Sequence, residues 1–355
     1  EDTSPKITYD LKTQFNEKNI AVCLSTDINY ISYLGVTIQS IIANASPDYH
    51  YDINILYETL PVAVQKKITD LATKNVSIRF VCMQNFLQEK NKNGLFYIRS
   101  HFSLATYFRF FLPDLMQNYD KVLYIDCDLV VNKDIKELYE TPLDEQYLLG
   151  AVKDFEIIRW ATKDKNWGVS YFNHFIGIKS VHNYFQAGVL LLNLKQMRAE
   201  GIIEKLFETL ERIKTPHFPD QDILNIVCEG RVLYLDPRWN VEYHIPIWNA
   251  DWMQTMPANE LYEYIDSRNN PYIIHYAGSK KPWHNAALEM ADYRWKYARQ
   301  TPIYEEILYK NLKIGSTVQN ITQQITQQIT KTADNDLIKE VASYSKNRFD
   351  YYRSK

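Results

Sequence analysis

Cysteine is scarce in this chain of 355 residues, and long apolar runs are missing altogether. The four cysteines, Cys23, Cys82, Cys127 and Cys228, are scattered without a Cys-x-x-Cys pair. They read as core thiols of a reducing compartment. No apolar run is long enough to cross a bilayer, and the opening Glu-Asp-Thr-Ser-Pro-Lys has no signal-peptide pattern, so a soluble, cytoplasmic protein is expected. The first strand candidate carries none of the glycine fingerprint on which a dinucleotide pyrophosphate sits, which argues against a doubly wound dehydrogenase. Excess positive charge is lacking too: the net charge of −3 gives no bulk attraction for nucleic acid, so an anionic ligand must be met by local groups. What is present is length enough for one large α/β catalytic domain with an appendage. Aromatic residues make up 14% of the chain, which suits a surface that stacks on sugar rings.

Apolar runs and helical periodicity alternate along the first third. Asn19 to Ser25, Asp52 to Tyr57 and Val76 to Val81 read as strands, and Leu34 to Ala43 and Val62 to Leu71 as helices. This βαβαβ rhythm predicts an α/β fold with a mostly parallel sheet, whose ligands collect beyond the carboxyl ends of the strands. Tyr147 to Lys153, Ala187 to Leu194, Val232 to Leu235 and Tyr272 to Tyr276 are further strand candidates. Ala161 to His182 reads as an irregular aromatic insertion that suits a lid or an acceptor wall. Gln196 to Ile213 reads as one helix, and Asp220 opens a short one through Val227. From Ala286 onward the pattern is helical, which divides the chain into 1–285, a catalytic domain, and 286–355, a helical appendage. In the appendage Ile314, Val318, Ile321, Ile325 and Ile329 form one apolar stripe, a docking face for the catalytic domain, for a second copy as a homodimer, or for a membrane. The end, from Asn347, is basic and aromatic and suits peripheral work beside a membrane.

Lys121 to Val130, Lys-Val-Leu-Tyr-Ile-Asp-Cys-Asp-Leu-Val, is the stretch richest in chemistry. On extended backbone, side chains at i and i+2 share a face, so Asp126 and Asp128 converge while Cys127 faces away. Two carboxylates so placed suit a hard divalent cation that leaves positions open for phosphate. The same pair also suits a strand end with two solvated acids. His275-Tyr-Ala-Gly278-Ser-Lys-Lys281-Pro282-Trp283 follows a strand candidate directly. There a neutral imidazole can complete the metal site, Gly278 lets backbone N–H groups approach a phosphate, Lys281 brings positive charge, and Trp283 offers an apolar wall. A glycine- and proline-containing turn with solvated lysines is the plainer reading. Pro219-Asp220-Gln221-Asp222 suits a capped helix start or a grip on sugar hydroxyls. Gln186-Ala187-Gly188 places a polar residue before a buried strand with room for a ligand.

Ser25-Thr26-Asp27-Ile28-Asn29-Tyr30, Arg109, Asp126-Cys127-Asp128, Gln186-Ala187-Gly188, Asp220-Gln221-Asp222 and His275-x-x-Gly278-x-x-Lys281-Pro282-Trp283 occur in one order. In that order the chain resembles the retaining glycosyltransferases of family 8, in particular the bacterial lipopolysaccharide galactosyl- and glucosyltransferases. The resemblance implies a GT-A fold, with a mixed, mostly parallel sheet flanked by helices, and a UDP-hexose donor. It implies Mn²⁺, with Mg²⁺ as a substitute, held by Asp126, Asp128 and His275. Ser25, Thr26, Asp27, Asn29 and Tyr30 would frame the nucleotide, with Gly278 and Lys281 at the phosphates. Arg109, Gln186, Ala187, Asp220 and Gln221 would surround the donor sugar, with Gln221, Asp154 and Asp220 catalytic. The acceptor would be a saccharide or lipid-linked glycan, met at the inner face of the cell membrane. Where the family usually has Asn, this chain has Gln186, which leaves the donor sugar open. The rival readings are a self-glucosylating initiator or a nucleotide-sugar hydrolase on the same fold, and an idle carbohydrate-binding scaffold.

Overall fold

A computed structural model describes residues 11–90, 95–96, 103–245 and 250–311. Among the described residues ten strands run in chain order: β1 Asn19–Ser25, β2 His50–Tyr57, β3 Val76–Cys82, β4 Lys121–Ile125, β5 Leu129–Val131, β6 Leu149–Lys153, β7 Phe185–Asn193, β8 Val232–Tyr234, β9 Val241–Glu242 and β10 Ile273–His275. Seven of them form one sheet in the order β3-β2-β1-β4-β7-β6-β8, and β5-β10-β9 form a second. In the large sheet only β7 runs against its neighbours, so the expected mostly parallel sheet is present. Ile20 to Leu24 of β1 and Val122 to Ile125 of β4 are almost wholly buried, as strands covered by helices on both faces must be. Consecutive strands run outward from β1 to β3, and the chain then returns to the other side of β1 as β4. The crevice at that reversal, beyond the carboxyl ends of β1 and β4, is where an open α/β sheet receives its ligand.

Four expectations about local structure change. The acid pair does not sit on extended backbone: β4 ends at Ile125, Asp126-Cys127-Asp128 forms a bend, and β5 then pairs antiparallel with β10 in the second sheet. Strand formers lie on both sides of the bend, so composition hides the change of sheet. The insertion from Ala161 is ordered rather than irregular. Helices Phe155–Lys163 and Lys165–Gly168, a π-helical stretch Val169–Ile176 and a 3₁₀ turn Val181–Asn183 gather Ile157, Tyr171, Phe172, Ile176 and Tyr184 into a core of their own. The helix expected from Gln196 to Ile213 is two, Leu194–Ala199 and Ile202–Ile213, parted by a turn. Helix after Ala286 begins only at Ala291–Ala298.

The chain separates into two compact units, Glu1–Tyr304 and Glu305–Lys355. In the second, residues 305–311 are described and helical; the isoleucine stripe and the basic end lie outside the described residues. Among the described residues no helix is long and apolar enough to cross a membrane.

Candidate active site

A cavity of about 320 Å³ opens at the crevice and is lined by Ser25, Thr26, Asp27 and Tyr30 after β1, Asp126, Cys127 and Asp128 after β4, and His275, Gly278 and Lys281 after β10. The bend after β4 lets both carboxylates turn toward the second sheet, whose strand β10 ends in His275. One ligand atom from each of Asp126, Asp128 and His275 lies within 4.8 Å of the others. The imidazole Nε2 is 3.2 Å from Asp128 Oδ1 and 3.8 Å from Asp126 Oδ2. Lys281 Nζ sits on Asp128 Oδ2 at 2.5 Å and donates to the Tyr276 carbonyl at 2.6 Å. Burial works to raise the Asp128 pKa, but Lys281 and His275 outweigh it and hold the carboxyl well below its ordinary value. The donor set, two hard carboxylates and an imidazole converging at contact distance of one another, fits a divalent cation with open positions.

Cys127 does not face away. It lines the same cavity, because the bend removes the alternation on which that expectation rests. Burial, reinforced by Asp128 and Asp126, raises its thiol pKa well above the ordinary value, which disfavours the thiolate. Trp283 is absent from the wall as well. It stacks on Tyr33 with ring centroids 4.0 Å apart and carries the buried Arg294 guanidinium 4.4 Å above its ring, bracing the turn that holds Lys281.

A second cluster gathers around Arg109 and Gln221. Arg109, on the 3₁₀ helix Leu104–Phe111, donates to Asp126 Oδ1 at 2.9 Å and to the Ala187 carbonyl, and stacks 4.2 Å over Tyr124. Its Nε lies 3.0 Å from Asp220 Oδ2, but that N–H points to the Thr106 carbonyl at 3.1 Å, so the Asp220 contact is coulombic. Thr106 donates its hydroxyl to Asp220. Gln221 is engaged at both ends: its oxygen accepts from Ala187 N–H at 2.9 Å and its nitrogen donates to Asp154 Oδ2 at 2.8 Å. Asp154 also caps helix Phe155–Lys163 by accepting from Ile157 N–H. Burial pushes the Asp154 carboxyl up to about 6 despite those two donors. Asp222 points away from the cavity, accepting from Tyr171 at 2.5 Å and Tyr184 at 2.6 Å, and it ties the insertion to the helix start.

After β1, Asp27 accepts from the backbone N–H groups of Asn29 and Tyr30, closing the turn into helix Ile31–Asn44. Asn29 is exposed and lies outside the lining, unlike Ser25, Thr26, Asp27 and Tyr30. Gly278 takes φ +77°, which a residue with a Cβ adopts only under strain, and so turns backbone into the cavity. Gln186 aims its oxygen inward, at Gly188 N–H (2.5 Å) and Asn240 Nδ2 (2.7 Å).

Glu242 and His244 of the wall, and Asn240 behind His275, had no place in the sequence reading; all three lie on or beside β9. Their spacing at i, i+2 and i+4 is a strand signal, one polar face of Asn-Val-Glu-Tyr-His, and was available in the sequence. Burial lowers the His244 pKa to about 4, so that ring is neutral at pH 7. Burial, then Asp154 and Glu156, raise the Glu242 carboxyl well above its ordinary value. Trp160, 40% exposed, supplies an aromatic edge to the cavity mouth.

Sheet order, reversal crevice and acidic centre together define a GT-A glycosyltransferase. The family model of glycosyl transferase family 8 matches residues 21–287, and the chain belongs to that family. It is similar to the bifunctional glycosyltransferase WbbM, at 32% identity and TM-score 0.74, over 85% of this chain and 53% of that one. It is also similar to the galactosyltransferase LgtC bound to donor and acceptor sugar analogs, at 28% identity and TM-score 0.64, over 80% of this chain and 96% of that one. The lipopolysaccharide 1,2-glucosyltransferase of Escherichia coli K12 is 27% identical over 276 residues, 76% of this chain and 75% of its own length.

Proposed function

We propose that this glycosyltransferase moves a hexose from a UDP-sugar to a saccharide or lipid-linked acceptor of a bacterial surface glycan, with retention at the anomeric carbon. The observation that carries this reading is the convergence of Asp126, Asp128 and His275 within 4.8 Å, beside Lys281 and at the reversal crevice. The ion is Mn²⁺ by preference, since an imidazole beside two carboxylates suits it better than Mg²⁺, which favours an all-oxygen shell. A cation bound there supplies Lewis-acid stabilisation of the departing diphosphate. The resemblance to lipopolysaccharide hexosyltransferases supports the substrate class, and relatives that transfer galactose and glucose leave the hexose open.

The chain's own residues divide the remaining work. Lys281 brings a desolvated ammonium to the phosphates, and the backbone at Gly278 gives them a close approach. Arg109 holds Asp126 in place and, through the Ala187 carbonyl, the start of β7 beside the sugar. Asp154, ionised above about pH 6, stabilises positive charge growing on the ring. Gln221 is a poor nucleophile twice over: an amide oxygen attacks weakly, and this one already accepts from Ala187. Front-face attack, with a phosphate oxygen of the leaving group receiving the acceptor's proton, is therefore favoured over double displacement. Trp160 and Ile157 line the cavity, and the acceptor would meet them there. The helical appendage from 286 serves packing, pairing or membrane contact at the inner face of the membrane.

The test is a donor panel of UDP-glucose, UDP-galactose and UDP-N-acetylhexosamines with Mn²⁺, read as UDP release, with product configuration assigned by NMR. One hexose donor should be turned over with retention. Silence across the panel and across other nucleotides would favour an idle carbohydrate-binding scaffold, and hexose mass on the enzyme itself would favour an initiator.

A further inference from the structure

Behind His275 runs a chain of amides whose polarity one backbone group dictates. The Gly188 N–H can only donate, and the Gln186 side-chain atom it meets at 2.5 Å is therefore the oxygen. Asn240 approaches that same oxygen at 2.7 Å and must present its nitrogen. Its own oxygen is then left facing His275 Nδ1 at 3.0 Å, and an amide oxygen only accepts, so Nδ1 carries a proton. The other ring nitrogen, Nε2, is the one directed at Asp128 and Asp126. Asn240 and His275 are 3% and 2% exposed, which shields the contact from solvent competition. Glycine at 188 is part of the arrangement: a Cβ there would stand 2.2 Å from His275 Cε1 and 2.8 Å from Gln186 Oε1.

We propose that Asn240 is a positioning residue: oriented by Gln186 and the Gly188 backbone, it locks His275 with its proton on Nδ1 and keeps the Nε2 lone pair aimed at the cation between Asp126 and Asp128. The physical basis is general. A ligating imidazole that donates its far N–H is fixed in tautomer and ring plane and is a better base toward the ion. Gln186 thereby has a task inside the wall, distinct from the sugar contact expected of it, and its extra methylene relative to Asn gives it the reach to turn back onto Gly188. This inference rests on reading the acidic centre as a divalent cation site.

The experiment measures Mn²⁺ affinity of the full chain by the EPR signal of free Mn²⁺, together with histidine ¹⁵N NMR of the metal-free protein at alkaline pH. Asn240→Ala should weaken Mn²⁺ binding by about 10–100-fold, the usual cost of losing a partner behind a ligand. Gln186→Glu keeps an oxygen acceptor toward Gly188 and Asn240 and should stay within roughly threefold of the parent, whereas Gln186→Met, which fills the space but cannot accept, should weaken binding as Asn240→Ala does, a split that mere packing would not produce. In the parent, NMR should find the His275 proton on Nδ1. Unchanged Mn²⁺ affinity in folded Asn240→Ala, equal weakening in Gln186→Glu, or a proton on Nε2 in the parent would each overturn the proposal. A parent that binds no Mn²⁺ refutes the metal reading instead, and the tautomer signal then still decides the relay.

Discussion

Replacing Asp128 by alanine strikes the acidic centre twice, and the two effects are separable. In the free protein Asp128 is the counter-ion of Lys281, whose side chain is 5% exposed and whose other bond goes to the Tyr276 carbonyl. Removing one partner of a buried pair costs about 3–5 kcal/mol because the other charge is left uncompensated. Asp128 is 15% exposed at the cavity, so the pair is not fully sealed and the lower end, about 3 kcal/mol, is expected. At about 2 °C per kcal/mol for a domain of this size, the melting temperature should fall by roughly 6 °C. That leaves the domain folded, given native stabilities of about 5–15 kcal/mol. The parent's Asp128 contribution is fully present above the ordinary carboxyl value of 3.8 and is lost on further acidification, because its native pKa is depressed. Catalysis should suffer far more, since a lost ligand removes several kcal/mol of leaving-group stabilisation. At about 4 kcal/mol this is on the order of a thousandfold in rate. UDP release with Mn²⁺ or EDTA, run beside thermal melts with and without Mn²⁺, measures both. Near-normal turnover in Asp128→Ala, with EDTA harmless to the parent, would refute the reasoning.

Asp154→Asn should slow transfer and erase an acid limb in kcat/KM. The parent should lose activity as pH falls through about 6, where the carboxylate is neutralised, and a profile flat from pH 8 to 5 would contradict this. Because that pKa is raised, the stability sign is opposite: Asp154 stabilises the native state most below the unfolded value of 3.8 and progressively less as pH rises through 6, which melts of parent and Asp154→Asn would compare. Gly188→Ala must displace His275 or Gln186, and misplacement of that order should cost about 100-fold in kcat with far-UV CD unchanged. Arg109→Lys keeps the charge but not the fork shared among Asp126, the Ala187 carbonyl and Tyr124. A destabilisation of about 2–4 kcal/mol by urea titration is expected, and full stability would show that charge alone suffices.

Much of the fold is local and could be read in advance. Strand formers in β1, β2 and β3 alternate with helical periodicity, and parallel strands buried on both faces leave a strong apolar signature. Residue types whose chemistry is narrow could also be named: two acids one residue apart, and a distant histidine ahead of a glycine and a lysine. The aromatic insertion does not show in the sequence because its helices are short and bury a small core of their own, and the break after Ile125 does not because strand composition carries no record of which sheet a strand joins.

The alternating architecture and the inventory of charged groups are written locally, since propensity, periodicity and side-chain chemistry belong to short stretches of chain. Tertiary structure alone decided how those groups are spent: that β4 and β10 bring Asp128, His275 and Lys281 into contact, that Gln221 and Gln186 turn their amides onto backbone, and that Asn240 stands behind the imidazole. Hydrogen-bond direction and the pKa of a buried acid depend on neighbours that are remote along the chain, and only folding supplies them.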